Sequence, residues 1–341
     1  MLIPSRTDRF SKAKNDFAAF YLGGKLQPLG KLYEPAEYYK RQPELLGGVA
    51  EALVFIRPPY YSLFYVPLAR MPYLTAYWTY LGIQVALLAL WLWLAWRESP
   101  RLVLAVGVSL PLLFAIANGQ DVILATALCG IAFQLLDRRP VLAGVVLALC
   151  AFKVHLFILV PLALARAGYW RTIGGGAACG LGLVGLSFAA AGPDWLSQYL
   201  RVLKALELLD AGEGIVMMGN VRAICAMVGL PGGWGAGLSL AGLAGCAALI
   251  WRARSLGEAL TTAICGGLVF SWHSWAQDFT LLLAVAPFVE RARLSAWGQR
   301  SWQWLMSPLP YLAILPGVPF CSVLPVSMLA FLGLSQDRSK S

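Results

Sequence analysis

Charge is scarce in this chain, and histidine is nearly absent. Asp, Glu, Lys and Arg make up 13% of the 341 residues, there are two histidines, and hydrophobic residues reach 59%. A soluble domain cannot hide that much apolar surface, so that class is excluded and a bundle in lipid is indicated. Also missing are a Walker-type phosphate loop, a dinucleotide fingerprint and a metal-ligand motif. The sequence therefore implies no cofactor and no metal. The seven cysteines (Cys129, Cys150, Cys179, Cys225, Cys246, Cys265 and Cys321) lie in or beside apolar runs and read as small core residues. No cleavable signal peptide is visible, because the first sixty residues hold no continuous apolar stretch. Internal repeats are absent as well.

What is present is a series of apolar stretches, several close to the roughly 20 residues that cross a hydrocarbon core. They are Tyr73–Trp96, Leu102–Ala117, Val122–Leu136, Ile173–Ala191, Trp234–Trp251, Ala259–Trp272, Phe279–Val289, Trp302–Leu315 and Phe320–Leu334. The expected fold is all-α, a polytopic transmembrane helical bundle of about 9–11 membrane segments over residues 73–341. A polar, aromatic segment, residues 1–72, precedes it. Within that segment Phe17–Leu26 reads as a short amphipathic helix at the membrane interface. Gly30 and Pro35 mark turns, and Tyr60–Leu68, following Pro58-Pro59, is too short to span.

The net charge of +10 does not point to nucleic acid. Basic residues fall in short clusters between apolar segments: Arg97/Arg101, Arg138/Arg139, Arg166/Arg171, Arg252/Arg254, Arg291/Arg293/Arg300 and Arg338/Lys340. If all are cytoplasmic, the other side keeps only Arg201, Lys204 and Arg222, a strong positive-inside bias. One segment breaks the parity. Val141–Ala165 lies between two basic clusters yet is long enough to cross once. Either it crosses and leaves a basic cluster outside, or it is a hairpin of two half-length pieces broken near Phe152-Lys153-Val154-His155. With the hairpin, Asn118–Asp121, the loop Gly192–Gly219 and Ser271–Asp278 share the extracytoplasmic face with the N-terminal segment. The ten Lys and Arg of residues 1–72 then translocate without a preceding helix. The expectation is that a further N-terminal helix precedes this sequence.

A few polar residues stand out against this background. Asp16, in Asn15-Asp16-Phe17, suits a general base beside aromatics at a membrane surface, and equally a helix N-cap. Arg57, held before Pro58-Pro59, suits bidentate contact with a phosphate, or a snorkelling role at the headgroups. Lys153 and His155 are ionisable groups deep in an apolar segment, where such residues are costly and commonly functional. The alternative for Lys153 is an ion pair with a buried carboxylate such as Asp121. His273 and Asp278 flank the junction Ser271–Asp278. Asn118, Gln120 and Asp121 are candidates for hydrogen bonds to a sugar, or for caps on the two helices that meet there.

In order along the chain, these residues resemble glycosyltransferase family 87. The resemblance rests on Asp16-Phe17 with Phe20-Tyr21 and Gly23-Gly24, on Leu32-Tyr33-Glu34-Pro35, and on Phe55-Ile56-Arg57-Pro58-Pro59-Tyr60-Tyr61. It continues through Pro67-Leu68-Ala69, Met71-Pro72, Asn118-Gly119-Gln120, Ala143-Gly144, Phe152-Lys153 and Ser274-Trp275 to Asp278, covering most of residues 15–290. It implies a GT-C membrane fold with a catalytic carboxylate in the first extracytoplasmic loop, a position matched by Asp16. Many members carry an aromatic residue where Arg57 stands, so a phosphate role for it rests on its own chemistry and not on the family, and most carry a helix before the first motif, which this sequence does not show. The activity implied is inverting transfer of a hexose or pentose, mannose foremost, from a polyprenyl phosphate donor to a lipid or glycan acceptor. Arg57 and Lys153 are then the donor-phosphate contacts, and Asn118, Gln120, Asp121, His273 and Asp278 the substrate contacts. The setting implied is the bacterial inner membrane. Two other classes fit a polytopic bundle with interior charges, a transporter or flippase of a lipid-linked sugar and a structural membrane subunit.

Overall fold

The computed structural model describes residues 13–46, 53–96, 99–210, 215, 218–292, 294–312 and 323–334. Arg97, Arg293, Arg338, Lys340 and Cys321, read above as orientation or core residues, lie outside the described residues. The described chain is helical. Its one β contact is an isolated antiparallel bridge between Met218 and Trp275.

Before the bundle come α1 (Phe17–Leu26), α2 (Pro35–Leu46) and α3 (Pro59–Leu68). Helix α1 forms where an amphipathic helix is expected, but it buries every residue except Lys25. The cause is aromatic packing on two sides: Phe17 stacks on Tyr80 at 5.1 Å, and Phe20 on Tyr65 at 5.2 Å. Gly24 lets the backbone of α3 approach, since a Cβ there meets the Tyr65 carbonyl oxygen at 2.4 Å. This helix is part of the core, not a float on its surface.

Among the described residues, three helices are long and apolar enough to cross a membrane: α4 (Tyr73–Ala95), α10 (Trp170–Ala191) and α13 (Gly232–Arg252). They expose apolar side chains such as Trp93, Leu181 and Leu240, as lipid-facing helices do. Between them stand shorter pieces, α5 (Arg101–Val108), α6 (Leu110–Ala117), α7 (Val122–Leu135), α8 (Pro140–Ala148) and α9 (Val160–Arg166). Beyond α10 come α11 (Trp195–Asp210), α12 (Val221–Met227), α14 (Leu256–Phe270), α15 (Leu282–Arg291), α16 (Ala296–Met306), α17 (Leu309–Leu312) and α18 (Leu324–Leu334). The stretch Leu102–Ala117, expected as one helix, is two. Ser109 turns extended (φ −71°, ψ 104°) and its hydroxyl accepts the Leu112 N–H at 3.3 Å, with Pro111 at the start of α6. Serine as N-cap and proline in the first turn restart a helix at little cost.

The bundle has two poles. At one, Tyr169 donates to Asp137 at 2.6 Å, Arg166 donates to the carbonyls of Trp251 (2.8 Å) and Ala253 (3.2 Å), and Ser99 donates to Glu290. Arg101, Arg138, Arg139, Arg171, Arg252, Arg254 and Arg291 are all exposed around it. The segment from Pro140 to Arg166 begins and ends at this pole. Its far point is a 3₁₀ stretch, Leu149–Leu156, where Lys153 leaves helical geometry (φ −123°, ψ 42°).

Glycine holds that segment in place. A Cβ on Gly144 meets the Thr172 carbonyl oxygen at 1.9 Å, and one on Gly267 meets the Leu156 carbonyl oxygen at 2.0 Å. Backbone-to-backbone contact through small residues is how helices pack tightly without a hydrophobic driving force. A Gly144→Leu variant is expected to lose about 1–3 kcal/mol, as forced overpacking does. Gly82→Ala, with open space around its Cβ, serves as the neutral control. Thermal unfolding of both variants in detergent checks the difference.

Candidate active site

The second pole is built from four short junctions. Helix α6 ends in a Schellman turn: Gly119 is left-handed (φ 61°), its N–H bonds Ile116 at 3.2 Å, and Gln120 N–H bonds Ala115 at 2.9 Å. That turn sets Gln120 and Asp121 at the head of α7. A Cβ on Gly119 meets Asn15 Oδ1 at 2.6 Å, so glycine also lets the chain before α1 lie against the turn. Arg57 lies at a bend just before Pro58, and Pro59 opens α3. Lys153 occupies the break in the 3₁₀ stretch. Asp278 sits in a second 3₁₀ stretch, Ala276–Leu281.

These junctions meet in a chain of buried charges. Arg57 grips Asp121 with both arms of its fork, Nε to Oδ2 at 2.7 Å and Nη2 to Oδ1 at 3.1 Å. Lys153 Nζ lies 3.3 Å from the same Asp121 Oδ1 and 2.7 Å from Asp278 Oδ1. Asp278 Oδ2 in turn accepts the Trp275 N–H at 2.8 Å. All four charged residues are at most 7% exposed. Two cations against two carboxylates leave the cluster neutral, which is what an apolar interior tolerates. Aromatic rings wall it. Tyr61 stacks on Phe152 at 4.2 Å, Tyr33 donates to the Arg57 carbonyl at 2.6 Å, and Arg57 lies 5.8 Å from the Phe20 ring.

Asp16 lies at the edge of this cluster, half-buried. It occupies the N-cap position of α1, but its side chain does not cap the helix. It accepts a hydrogen bond from Gln120 Nε2, and its N–H donates to the Asn118 carbonyl at 3.1 Å. Asn15 takes over the local turn, accepting the Phe17 N–H at 3.1 Å. Adjacent residues of one turn, Gln120 and Asp121, thus hold the carboxylate of Asp16 and the two cations.

Every site residue expected from sequence therefore gathers at this pole, in altered roles for some. Lys153 makes the ion pair with Asp121 foreseen as its alternative, and adds a stronger one with Asp278. Asp121 and Asp278 hold cations, and Asp278 also caps its own turn. Asn118 contributes its backbone carbonyl. His273 Nε2 accepts the Trp275 indole N–H at 2.7 Å. His155 lies two residues past Lys153 with its Nε2 buried and without a partner among the described residues. Tyr33, Tyr61 and Trp275 stand in the motifs that carry the family resemblance but were given no role of their own. The tyrosine-rich stretches Leu32-Tyr33 and Pro59-Tyr60-Tyr61 were the available signal.

Removing one partner of a buried pair strands the other. Lys153→Met is expected to destabilise the protein by about 3–5 kcal/mol. Adding Asp278→Leu to it is expected to cost less than the sum of the two single changes, with a coupling of at least about 1 kcal/mol. A double-mutant cycle by thermal or denaturant unfolding measures that coupling.

Among known proteins, the model of glycosyltransferase family 87 matches residues 55–283, about two thirds of the chain. Neither the curated proteins nor the solved structures gave a match. The matched stretch takes in Arg57, Asn118, Gln120, Asp121, Lys153, His273 and Asp278, and begins after Asp16. With three helices fit to cross a membrane and a polar site at one pole, the match over most of the bundle identifies the chain as a member of glycosyltransferase family 87, a membrane glycosyltransferase.

Proposed function

We propose that the protein transfers a sugar from a polyprenyl phosphate to an acceptor hydroxyl, with inversion, at the pole that carries Asp16. The observation that supports this most is the meeting of a half-buried carboxylate and a buried cation pair on one turn, Gln120-Asp121. Asp16 takes the proton of the acceptor hydroxyl as its oxygen attacks the anomeric carbon. The bond from that carbon to the phosphate oxygen breaks, and the polyprenyl phosphate leaves with one more negative charge. Mannose is the sugar suggested by the family resemblance, and a lipid or glycan supplies the hydroxyl.

Arg57 and Lys153 are suited to that leaving group. Arg57 has five N–H groups and spends three, two on Asp121 and one on the Ile56 carbonyl. Lys153 has three and directs two at carboxylates. Donors remain on both, already oriented by their carboxylates, and preorganised donors are what stabilise charge that appears only in the transition state. The exposed arginines at the other pole favour a cytoplasmic position for that pole and an extracytoplasmic one for the site. On that orientation, Pro140–Arg166 is a re-entrant hairpin with Lys153 at its tip, and the bundle sits in a bacterial inner membrane.

Purified protein in lipid, offered a panel of polyprenyl-phosphate sugars, is expected to transfer from one of them. Asp16→Asn should cut that rate by about 10²–10⁴-fold, the usual contribution of a general base, with folding retained. Near wild-type transfer by a folded Asp16→Asn variant rules out the base assignment.

A further inference from the structure

At the pole opposite the candidate active site, α8 and α10 leave an open groove of about 460 Å³ between them. Its walls are Pro140, Val141, Leu142 and Val145, and Arg139 and Arg171 line it as well. Both arginines are exposed, and neither makes an ion pair among the described residues. Asp137, two residues before Arg139, is engaged by the Tyr169 hydroxyl at 2.6 Å.

The placement of these cations is unfavourable on its own. Arg139 is the N-cap residue of α8 and Arg171 lies in the first turn of α10, with no acidic residue in the first turn of either helix. Positive side chains there oppose the positive ends of two helix dipoles. An anion bound by them reverses the sign of that interaction. The groove beside them is apolar, so a free inorganic anion satisfies only one part of the site. A molecule with an anionic phosphodiester and a hydrocarbon chain satisfies both.

We propose that this groove binds one anionic glycerophospholipid, its phosphodiester held by Arg139 and Arg171 and an acyl chain along Val141, Leu142 and Val145. Basic pockets between membrane helices hold anionic headgroups in this manner. The bound lipid also has a consequence for the rest of the bundle. The groove lies along α8, whose backbone touches α10 at Gly144 and which leads directly into the stretch that carries Lys153. A lipid seated there braces that segment at its base, a role independent of the transfer chemistry proposed above.

The test is lipid retention by the purified full chain, read by native mass spectrometry after equilibration with phosphatidylglycerol or phosphatidylcholine. Wild type is expected to keep one phosphatidylglycerol in preference to phosphatidylcholine. The Arg139→Gln/Arg171→Gln variant should retain it about tenfold less or weaker still, and Val145→Trp, which fills the groove and leaves both charges, should also lose it. Arg252→Gln/Arg254→Gln, an equal charge loss at the same pole, should retain it as wild type does. Equal retention by wild type and the Arg139/Arg171 variant overturns the proposal, as does an equal loss in the Arg252/Arg254 control. Displacement of the lipid by millimolar inorganic phosphate alone would show a free-anion site and overturn the lipid assignment.

Discussion

Four charges in an apolar interior are the constraint around which the site is arranged. Arg57, Asp121, Lys153 and Asp278 come from stretches up to 221 residues apart, and each alone is too costly to bury. Together they are neutral and hydrogen-bonded, so the cluster persists only when all four junctions are in register. This couples four short junctions, the turn before α3, the head of α7, the break at Lys153 and the 3₁₀ stretch Ala276–Leu281, whose backbones are otherwise held by their own turns and packing. Well-packed apolar side chains of similar volume commonly match or exceed the stability of such a cluster. Stability alone therefore gives no reason for the four charges, and the anionic donor proposed above would supply one.

Much of the fold was legible in the sequence, because lipid imposes a simple rule on composition. Apolar length marked α4, α10 and α13 to within a few residues. Where the reading was coarse, the cause was local. Ser109 and Pro111 divide an apolar run that hydropathy alone sees as continuous. Helix α1 was read as a short amphipathic helix at the membrane interface, whereas its character is set by tyrosines of α3 and α4 that only the fold brings near. The site was legible as a list of residues and much less as a set of roles. Asp16 was open between base and cap; the structure shows its side chain turned from the helix toward Gln120, a partner 104 residues on. No local pattern announces such a contact. For Lys153 the ion pair with Asp121 was the alternative to a phosphate contact, and the pair with Asp278 was not foreseen.

The break at Lys153 connects these observations. A chain that leaves helical geometry inside an apolar bundle frees backbone groups that lipid cannot satisfy, so the break must be enclosed by protein. Gly267 supplies one close neighbour, lying against the Leu156 carbonyl, and Gly144 seats the helix that leads into the break against α10. Larger side chains at either position separate the backbones and open the stretch that carries the lysine. The glycine contacts and the ion pairs are thus parts of one requirement. The first keep lipid away from irregular backbone, and the second give the lysine at its tip a fixed pair of oxygens. A regular helix through the same residues would satisfy its own backbone and need neither glycine. It would also carry Lys153 past the level of Asp121 and Asp278 at one fixed angle among its turns, with no tip to place between them.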